Sequence, residues 1–252
     1  RGGWPIATYL KGKSALSQAI DYYDAVVNYD ISRADNVKRD SEKVKKIMAS
    51  YARNQGTQIS DEAIVNDIKI NEDENINVKT IHSYIEALKQ IFVIEDMKAW
   101  NPNLRSKTAI RTADTRYFID PSIAAASLGF GPGDLVIDLN TFGFMFETLV
   151  IRDLRVYTEA IDGTVYHYRD KNNLECDAVI HLRNGNYGLV EIKLGGDKLI
   201  KEGVDNLLKL KSIIDIDKMK APSFLMVITA TGNLAYKRSD GVLIVPIGTL
   251  GK

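Results

Sequence analysis

The chain is 252 residues long, which suits two domains better than one. Its 33 basic residues balance its 33 acidic ones, which excludes a polycationic chain, so any contact with nucleic acid has to come from a local patch. A single cysteine, Cys176, excludes a disulfide framework and a multi-cysteine zinc site, and it predicts a cytoplasmic protein. No apolar run approaches the ~20 residues of a membrane span, so we expect no membrane partner.

The first half of the chain has apolar side chains at helical spacing, which predicts a series of helices. The predicted helices cover residues 16–33, residues 41 to about 56 with Ser41 as the cap, a short segment after Ser60, and residues 78–90. β-Branched and aromatic residues then predict two strands, at residues 91–94 and 116–120. Three helices followed by a two-stranded hairpin are typical of a winged helix, in which the third helix is the recognition helix.

The loop between the two predicted strands is the most basic stretch of the chain. It carries Lys98, Arg105, Lys107 and Arg111, and only Asp114 opposes them before the second strand. A wing at this position would contact phosphate groups, so we predict these four cations as nucleic-acid contacts, with DNA favoured as the ligand. Winged helices also serve as protein-docking modules, and the sequence leaves that alternative open.

The second half of the chain predicts an alternation of helices and strands. The predicted order is a helix at residues 142–155, strands at 165–169, 174–182 and 187–194, a helix at 197–214, and strands at 223–229 and 242–246. This order predicts a mixed sheet with helices packed on it. The fold class is therefore α/β (α+β), with a helical winged-helix region before a mixed-sheet domain.

Three charged residues interrupt strands that are otherwise suited to burial. They are Asp177 in the second of these strands, and Glu191 and Lys193, which share one face of the third strand. Ionised groups are costly to bury without partners or a metal, so this cluster needs a chemical reason.

The turn between these two strands decides whether the charged residues meet. A two-residue Asn184-Gly185 turn would pair Asp177 with Ile192 and separate it from Glu191. A three-residue loop with Gly185 left-handed would instead place Asp177 directly opposite Glu191 on the same face. We predict the three-residue loop, because the alternative scatters the charges over both faces of the sheet.

An aspartate facing a glutamate, with a lysine two residues on, is an arrangement suited to a divalent metal and a phosphate group. Two carboxylates supply hard oxygen ligands for Mg²⁺, which keeps its remaining positions for water and phosphate. The lysine can orient or deprotonate an attacking water, or neutralise charge that develops on phosphorus. The residues therefore predict Asp177, Glu191 and Lys193 as catalytic groups.

The run Glu175-Cys176-Asp177-Ala178-Val179 followed by Glu191-Ile192-Lys193 resembles the PD-(D/E)XK, restriction-endonuclease-like superfamily. The resemblance implies an α-β-β-β-α-β core with acidic residues on its second and third strands, and often another carboxylate on its first helix. Glu147 occupies that place, so the resemblance implies Glu147, Asp177 and Glu191 as ligands of Mg²⁺. Cys176 stands where the motif's name has proline.

A wider resemblance covers nearly the whole chain. Several segments look like a bacterial and archaeal AAA-type ATPase family. They are the run Arg1-Gly2-Gly3-Trp4-Pro5, the helix ending at Ile31, the strand of Tyr117 to Asp120, and residues 143–147. In that family a P-loop ATPase domain precedes a winged helix and a nuclease-like domain. The resemblance implies that ATP binds only in an N-terminal domain absent from this chain, which begins at Arg1, and that this ATPase domain is a partner.

The resemblance also gives the expected domain ranges and the competing functions. We expect a helical segment at residues 1–35, a winged helix at 36–138 and a nuclease-like domain at 139–252. One hypothesis is a Mg²⁺-dependent nuclease, and the other is a non-catalytic module that recognises nucleic acid or proteins for the ATPase. The sequence leaves the oligomeric state open.

Overall fold

A computed structural model of the chain describes residues 2–72, 76–101 and 113–251. It divides into two compact units, the first formed by Arg1–Asp96 with Thr115–Thr148 and the second by Met97–Asp114 with Leu149–Lys252. The fold class predicted from the sequence is confirmed, because a helical N-terminal region precedes a mixed β-sheet flanked by helices. Within the described ranges, no helix combines the length and apolar character needed to cross a bilayer.

The first unit is mostly helical. Its helices are α1 (Gly12–Ala25), which continues through a π-helical turn at Val26–Asp30 into α2 (Ile31–Arg33), then α3 (Ser41–Arg53), α4 (Asp61–Glu72), α5 (Val78–Gln90), α6 (Pro121–Leu128) and α7 (Pro132–Ile137). The short strands β1 (Ile94–Met97) and β2 (Thr115–Phe118) pair in a two-stranded sheet. The order α3-α4-α5-β1-β2 is that expected of a winged helix.

Apolar faces of α3, α4 and α5 form the core of the first unit. Ile47 and Tyr51 of α3, Ile64 of α4 and Leu88 of α5 are fully buried in one cluster. The ring of Phe118 in β2 meets Tyr51 edge to face, with 5.3 Å between ring centroids. The helical spacing read from the sequence therefore corresponds to real buried stripes.

Two local predictions in the first unit are wrong. Asp40, not Ser41, caps α3, because its carboxylate accepts hydrogen bonds from the backbone N–H groups of Glu42 and Lys43. The first strand begins at Ile94, because the chain leaves α5 through a turn in which Phe92 adopts a φ of 56°. Phe92 is 78% exposed, so its apolar character does not mark a strand.

Helix α6 was not predicted, although its sequence carries helix signals. The Asp120 side chain accepts from the N–H of Ser122, Pro121 occupies the first turn, and Gly129 ends the helix in the left-handed conformation. These signals were missed because the helix is short and its residues are almost all small or apolar, so no periodic stripe stands out.

The second unit is built on a mixed sheet. Helix α8 (Leu139–Glu159) leads into β3 (Gly163–Arg169), β4 (Glu175–Leu182), β5 (Tyr187–Lys193), α9 (Asp197–Ile213), β6 (Phe224–Thr229), β7 (Tyr236–Lys237) and β8 (Leu243–Pro246). In the described residues these six strands take the order β3-β4-β5-β6-β8-β7. The pairs β3–β4, β4–β5 and β7–β8 are antiparallel, whereas β5–β6 and β6–β8 are parallel.

The hairpin between β4 and β5 has the register predicted from the sequence. Ala178 pairs with Val190 and His181 with Tyr187, and this register continues to Leu182, whose N–H donates to the carbonyl of Asn186. Gly185 is left-handed, with a φ of 81°. Extending the same register by one pair places Asp177 opposite Glu191, so the predicted three-residue loop is confirmed.

The conformation of Gly185 predicts a modest loss of stability in Gly185→Ala. A β-carbon at this position meets no atom within 4 Å, so only backbone strain opposes it. We expect the free energy of unfolding to fall by about 1 kcal/mol, measured by chemical denaturation. Gly248→Ala is the control, since that glycine is equally open but has no left-handed φ, and it should change little. Equal effects in both variants would contradict this reading of the loop.

Candidate functional site

The hairpin brings Asp177, Glu191 and Lys193 together. The Nζ of Lys193 lies 2.7 Å from Oε2 of Glu191 and 3.4 Å from Oδ2 of Asp177. The same Oδ2 also accepts a hydrogen bond of 2.7 Å from the backbone N–H of Ile192. The side chain of Asp177 in β4 is therefore held by both the backbone of Ile192 and the ammonium of Lys193 in β5.

The electrostatics of this cluster follow from its burial. Glu191 is only 2% exposed, and burial together with the charge of Asp177 raises its pKa to about 8, although Lys193 and Asn206 act in the opposite direction. Burial disfavours the charged form of Lys193, but the two carboxylates outweigh it and raise its pKa above the usual value. One lysine thus contacts two carboxylates that repel each other, and the raised pKa of Glu191 means that this carboxyl holds a proton near neutral pH.

Helix α9 contributes a residue that the sequence reasoning missed. The side-chain amide of Asn206 donates a 2.7 Å hydrogen bond to Oε1 of Glu191 and another 2.7 Å bond to the backbone carbonyl of Glu175. Both carboxylate oxygens of Glu191 therefore have partners, Asn206 on one side and Lys193 on the other. No signal in the sequence identifies Asn206, because an asparagine in an amphipathic helix is ordinarily a surface residue.

Glu147, the third carboxylate implied by the resemblance, lies in α8 within the first unit. Its Oε1 accepts a 2.5 Å hydrogen bond from the hydroxyl of Tyr117 in β2 of the same unit. Among residues 2–72, 76–101 and 113–251, no group of three or more His, Cys, Asp or Glu side chains is arranged to hold a metal ion. A role for Glu147 as a metal ligand stays a prediction, and the second unit itself offers the pair Asp177 and Glu191.

Of the four cations predicted as nucleic-acid contacts, the described residues include Lys98. Its side chain is exposed, and its backbone carbonyl accepts from the N–H of His167 in β3, while the N–H of Trp100 donates to the carbonyl of His167. This segment thus pairs with the edge of the sheet inside the second unit. Arg105, Lys107 and Arg111 lie outside the described residues.

The polar side chains of the predicted recognition helix, α5, are largely engaged within the first unit. Lys89 forms ion pairs with Asp96 at 2.6 Å and with Glu86 at 3.0 Å. The imidazole of His82 lies 3.2 Å from the carboxylate of Asp61, and the amide of Gln90 donates to the carbonyl of Ala34. A helix that reads bases needs polar groups free to reach them, so these contacts reduce what α5 can offer to a duplex.

Cys176 lies beside the charged cluster but is not suited to nucleophilic chemistry. Its side chain is buried, and burial together with Glu191 and Asp177 raises the pKa of the thiol well above its usual value. The Sγ atom lies 3.3 Å from the carbonyl oxygens of Ala178 and Val190. The chemistry of this site therefore belongs to the carboxylates and the lysine.

Comparison with known proteins gives two matches to family models. Residues 1–134 match the model described as Domain of unknown function (DUF8612). Residues 142–250 match the model described as Domain of unknown function (DUF4143), and this range contains β3 to β8 and the charged cluster. A search of curated proteins found no match to the chain.

Proposed function

The chain belongs to the family described as Domain of unknown function (DUF8612), and we propose that its second unit is a Mg²⁺-dependent nuclease domain of the PD-(D/E)XK type. We propose further that the chain is the part of an AAA-type ATPase that follows the ATPase domain. The observation that carries the nuclease proposal is the meeting of Asp177, Glu191 and Lys193 on one face of the β4–β5 hairpin.

The donor set of this cluster fits a hard divalent cation. Asp177 and Glu191 offer carboxylate oxygens, which are the ligands that Mg²⁺ prefers. Oδ1 of Asp177 accepts no hydrogen bond from the residues that the structure describes, whereas Oδ2 is held by Ile192 and Lys193. A cation at this site would therefore draw on one unoccupied aspartate oxygen and on the buried carboxylate of Glu191.

Each residue of the cluster has a distinct role in the proposed hydrolysis. A bound divalent cation would supply Lewis-acid chemistry toward the phosphate. Asp177 is fixed in place by the N–H of Ile192, and Glu191 by the amide of Asn206. Lys193, whose pKa is raised, keeps its proton, so it serves to hold a phosphate oxygen or an attacking water and to offset developing negative charge.

The test is cleavage of plasmid and labelled single-stranded oligonucleotides in Mg²⁺ or Mn²⁺. We expect cleavage by the native chain that EDTA abolishes, and a loss of about a hundredfold or more in Asp177→Asn and in Glu191→Gln, since each removes a ligand charge. Glu202→Gln is the matched control, because Glu202 lies on the exposed surface of α9 with its side chain 55% exposed. It should cleave at the native rate.

An alternative function is favoured by the burial of Glu191. A carboxylate that is 2% exposed and bonded at both oxygens resembles a closed structural ion pair. In this alternative the second unit is a non-catalytic module that binds nucleic acid or a protein for the ATPase. Absence of metal-dependent cleavage, or equal cleavage by native chain and both site variants, would overturn the nuclease proposal and support this one.

The basic wing segment gives a separate proposal for the nucleic-acid partner, with DNA as the favoured ligand. We expect the combined change of Lys98, Arg105, Lys107 and Arg111 to alanine to weaken DNA binding and flatten its salt dependence. Each lost phosphate contact should reduce the slope of log K against log salt by about 0.9. Fluorescence anisotropy at several salt concentrations measures this slope.

The control for this experiment removes positive charge elsewhere in the second unit. Lys209, Lys211 and Lys218 are exposed residues at and beyond the end of α9. Their combined change to alanine should leave the slope nearly unchanged. If both sets of changes flatten the slope equally, the wing segment is not a specific phosphate contact.

A further inference from the structure

We propose that Asn206 is a positioning residue for Glu191, and that Gly203 allows helix α9 to approach closely enough for this contact. The inference rests on the proposed nuclease function, because it concerns how the cluster holds a divalent cation. In this inference helix α9 packs against the sheet and also fixes the position of Glu191, one of the proposed ligands of the cation.

The hydrogen bonds of Asn206 fix both its own orientation and that of Glu191. Its amide nitrogen, Nδ2, lies 2.7 Å from the carboxylate of Glu191 and 2.7 Å from the carbonyl of Glu175, both of which accept. A flipped amide would place its own oxygen against two acceptors, so this orientation is the only one that forms both bonds. Asn206 therefore ties the helix to the start of β4 and to the ligand on β5 at once.

Asn206 differs from Lys193 in how it responds to a cation. The ammonium of Lys193 holds the other oxygen of Glu191, but a divalent cation at that carboxylate repels it. A phosphate group competes for the same ammonium. The neutral amide of Asn206 has no such conflict, so it keeps Glu191 in place when the contact with Lys193 loosens.

Gly203 lies one turn before Asn206, on the same face of α9. A β-carbon there would lie 3.3 Å from Cβ of Glu191 and 3.5 Å from Cε of Lys193, which is close packing against two of the three members of the cluster. Glycine inside a helix costs about 1 kcal/mol relative to alanine. A larger side chain would hold the helix away from β5 by a few tenths of an ångström, and the bond from Asn206 to Glu191 would lengthen.

The experiment measures Mn²⁺ binding to the full chain by electron paramagnetic resonance of free Mn²⁺, without nucleic acid. We expect Asn206→Ala to weaken binding about tenfold or more, and Gly203→Ala to weaken it in the same direction by less. Ser212→Ala is the control, because among the described residues the hydroxyl of Ser212 bonds only to the carbonyl of Lys209 on the exposed side of α9. It should bind Mn²⁺ as the native chain does.

A second readout separates positioning from simple stabilisation of the helix. If Asn206 acts through cation affinity, saturating Mn²⁺ should restore the cleavage rate of Asn206→Ala to near the native value. Asn206→Leu, which has nearly the same size but cannot donate to Glu191, should lose Mn²⁺ affinity as well, with circular dichroism confirming that each variant is folded.

The outcomes distinguish this inference from the proposed function. Native chain that binds and cleaves with Mn²⁺, together with an Asn206→Ala chain of unchanged affinity, would overturn the inference and leave the nuclease in place. Native chain that neither binds Mn²⁺ nor cleaves would overturn both. A folded Asn206→Ala chain whose cleavage stays low at saturating Mn²⁺ would also overturn the positioning role.

Discussion

In EDTA, the free energy of unfolding of the native chain is expected to fall as pH rises from about 5 to about 8. Glu191 has an ordinary pKa of 4.5 in the unfolded chain, and burial raises that pKa to about 8 in the folded chain. Between these values the folded chain holds a proton that the unfolded chain has released, so rising pH favours unfolding. At about 1.36 kcal/mol per pKa unit, the loss is on the order of a few kcal/mol.

The variant Glu191→Gln isolates this effect. The amide has nearly the same shape but no titration, so its unfolding free energy should vary much less over the same pH range. Glu202→Gln removes an exposed carboxylate of the same unit and should keep the native slope. Chemical denaturation at half-unit pH steps gives the three curves. A native curve with the same slope as that of Glu191→Gln from pH 5 to pH 8 would mean that Glu191 ionises in the folded chain as easily as in water.

Replacement of Lys193 by methionine is expected to destabilise the chain by about 3 kcal/mol or more at pH 8 and above. The change keeps the length of the side chain but leaves Asp177 and Glu191 facing each other without their cation. Removing one partner of a buried pair leaves an uncompensated charge in a medium that solvates it poorly. Because Glu191 can take up a proton at lower pH, the loss should shrink toward pH 6.

The contrast with an exposed ion pair makes this prediction specific. Lys218 lies 2.6 Å from Asp215, a distance close to that between Lys193 and Glu191, but both side chains of the exposed pair are well solvated. Lys218→Met should therefore leave the free energy of unfolding nearly unchanged, because water already solvates both charges. Comparable losses in the two lysine variants would show that burial does not strengthen the Lys193 contacts, and it would weaken the case for a charged site.

The pH and lysine experiments bear on both functional hypotheses. Replacing a buried ion pair by apolar residues of similar volume often leaves the free energy of unfolding unchanged or raises it. A cluster whose ionisation lowers that free energy therefore needs a reason other than stability. If Mg²⁺ raises the unfolding free energy of the native chain at pH 8 but not that of Glu191→Gln, the cluster binds the cation. If it has no effect on either, the non-catalytic module is the better description.

The sequence was sufficient to predict the hairpin and its register. The turn residues Asn184 and Gly185 allowed two pairings, and the placement of Asp177 and Glu191 decided between them. The structure has the pairing that this choice predicted. Helix α5 was also predicted with the bounds it has, Val78–Gln90, because its apolar face is regular. Local signals suffice where the contacts in question are close in sequence or repeat with a fixed period.

The sequence-based prediction failed where an apolar residue lies exposed in the fold. Phe92 looked like part of a strand, yet it lies exposed in the turn after α5. The hydrophobicity of Phe92 describes the preference of that side chain alone. The turn that contains Phe92 is determined by the packing of Val93 and Ile94, which follow it and lie in the core of the first unit. A preference of one residue is easily overridden by the burial of its neighbours.

The sequence by itself determined the class of fold, the strands that carry the charges and the register that makes them face each other. Only the tertiary structure decided that Asn206, thirteen positions beyond Lys193, donates to Glu191, and that the segment around Lys98 pairs with the edge strand β3. The physical reason is that the spacing of apolar and polar residues along a chain predicts which residues are buried and where local turns form. Which polar group meets a given carboxylate depends instead on how closely a helix packs on its sheet. At Gly203 of α9, an added β-carbon would lie only 3.3 Å from Cβ of Glu191.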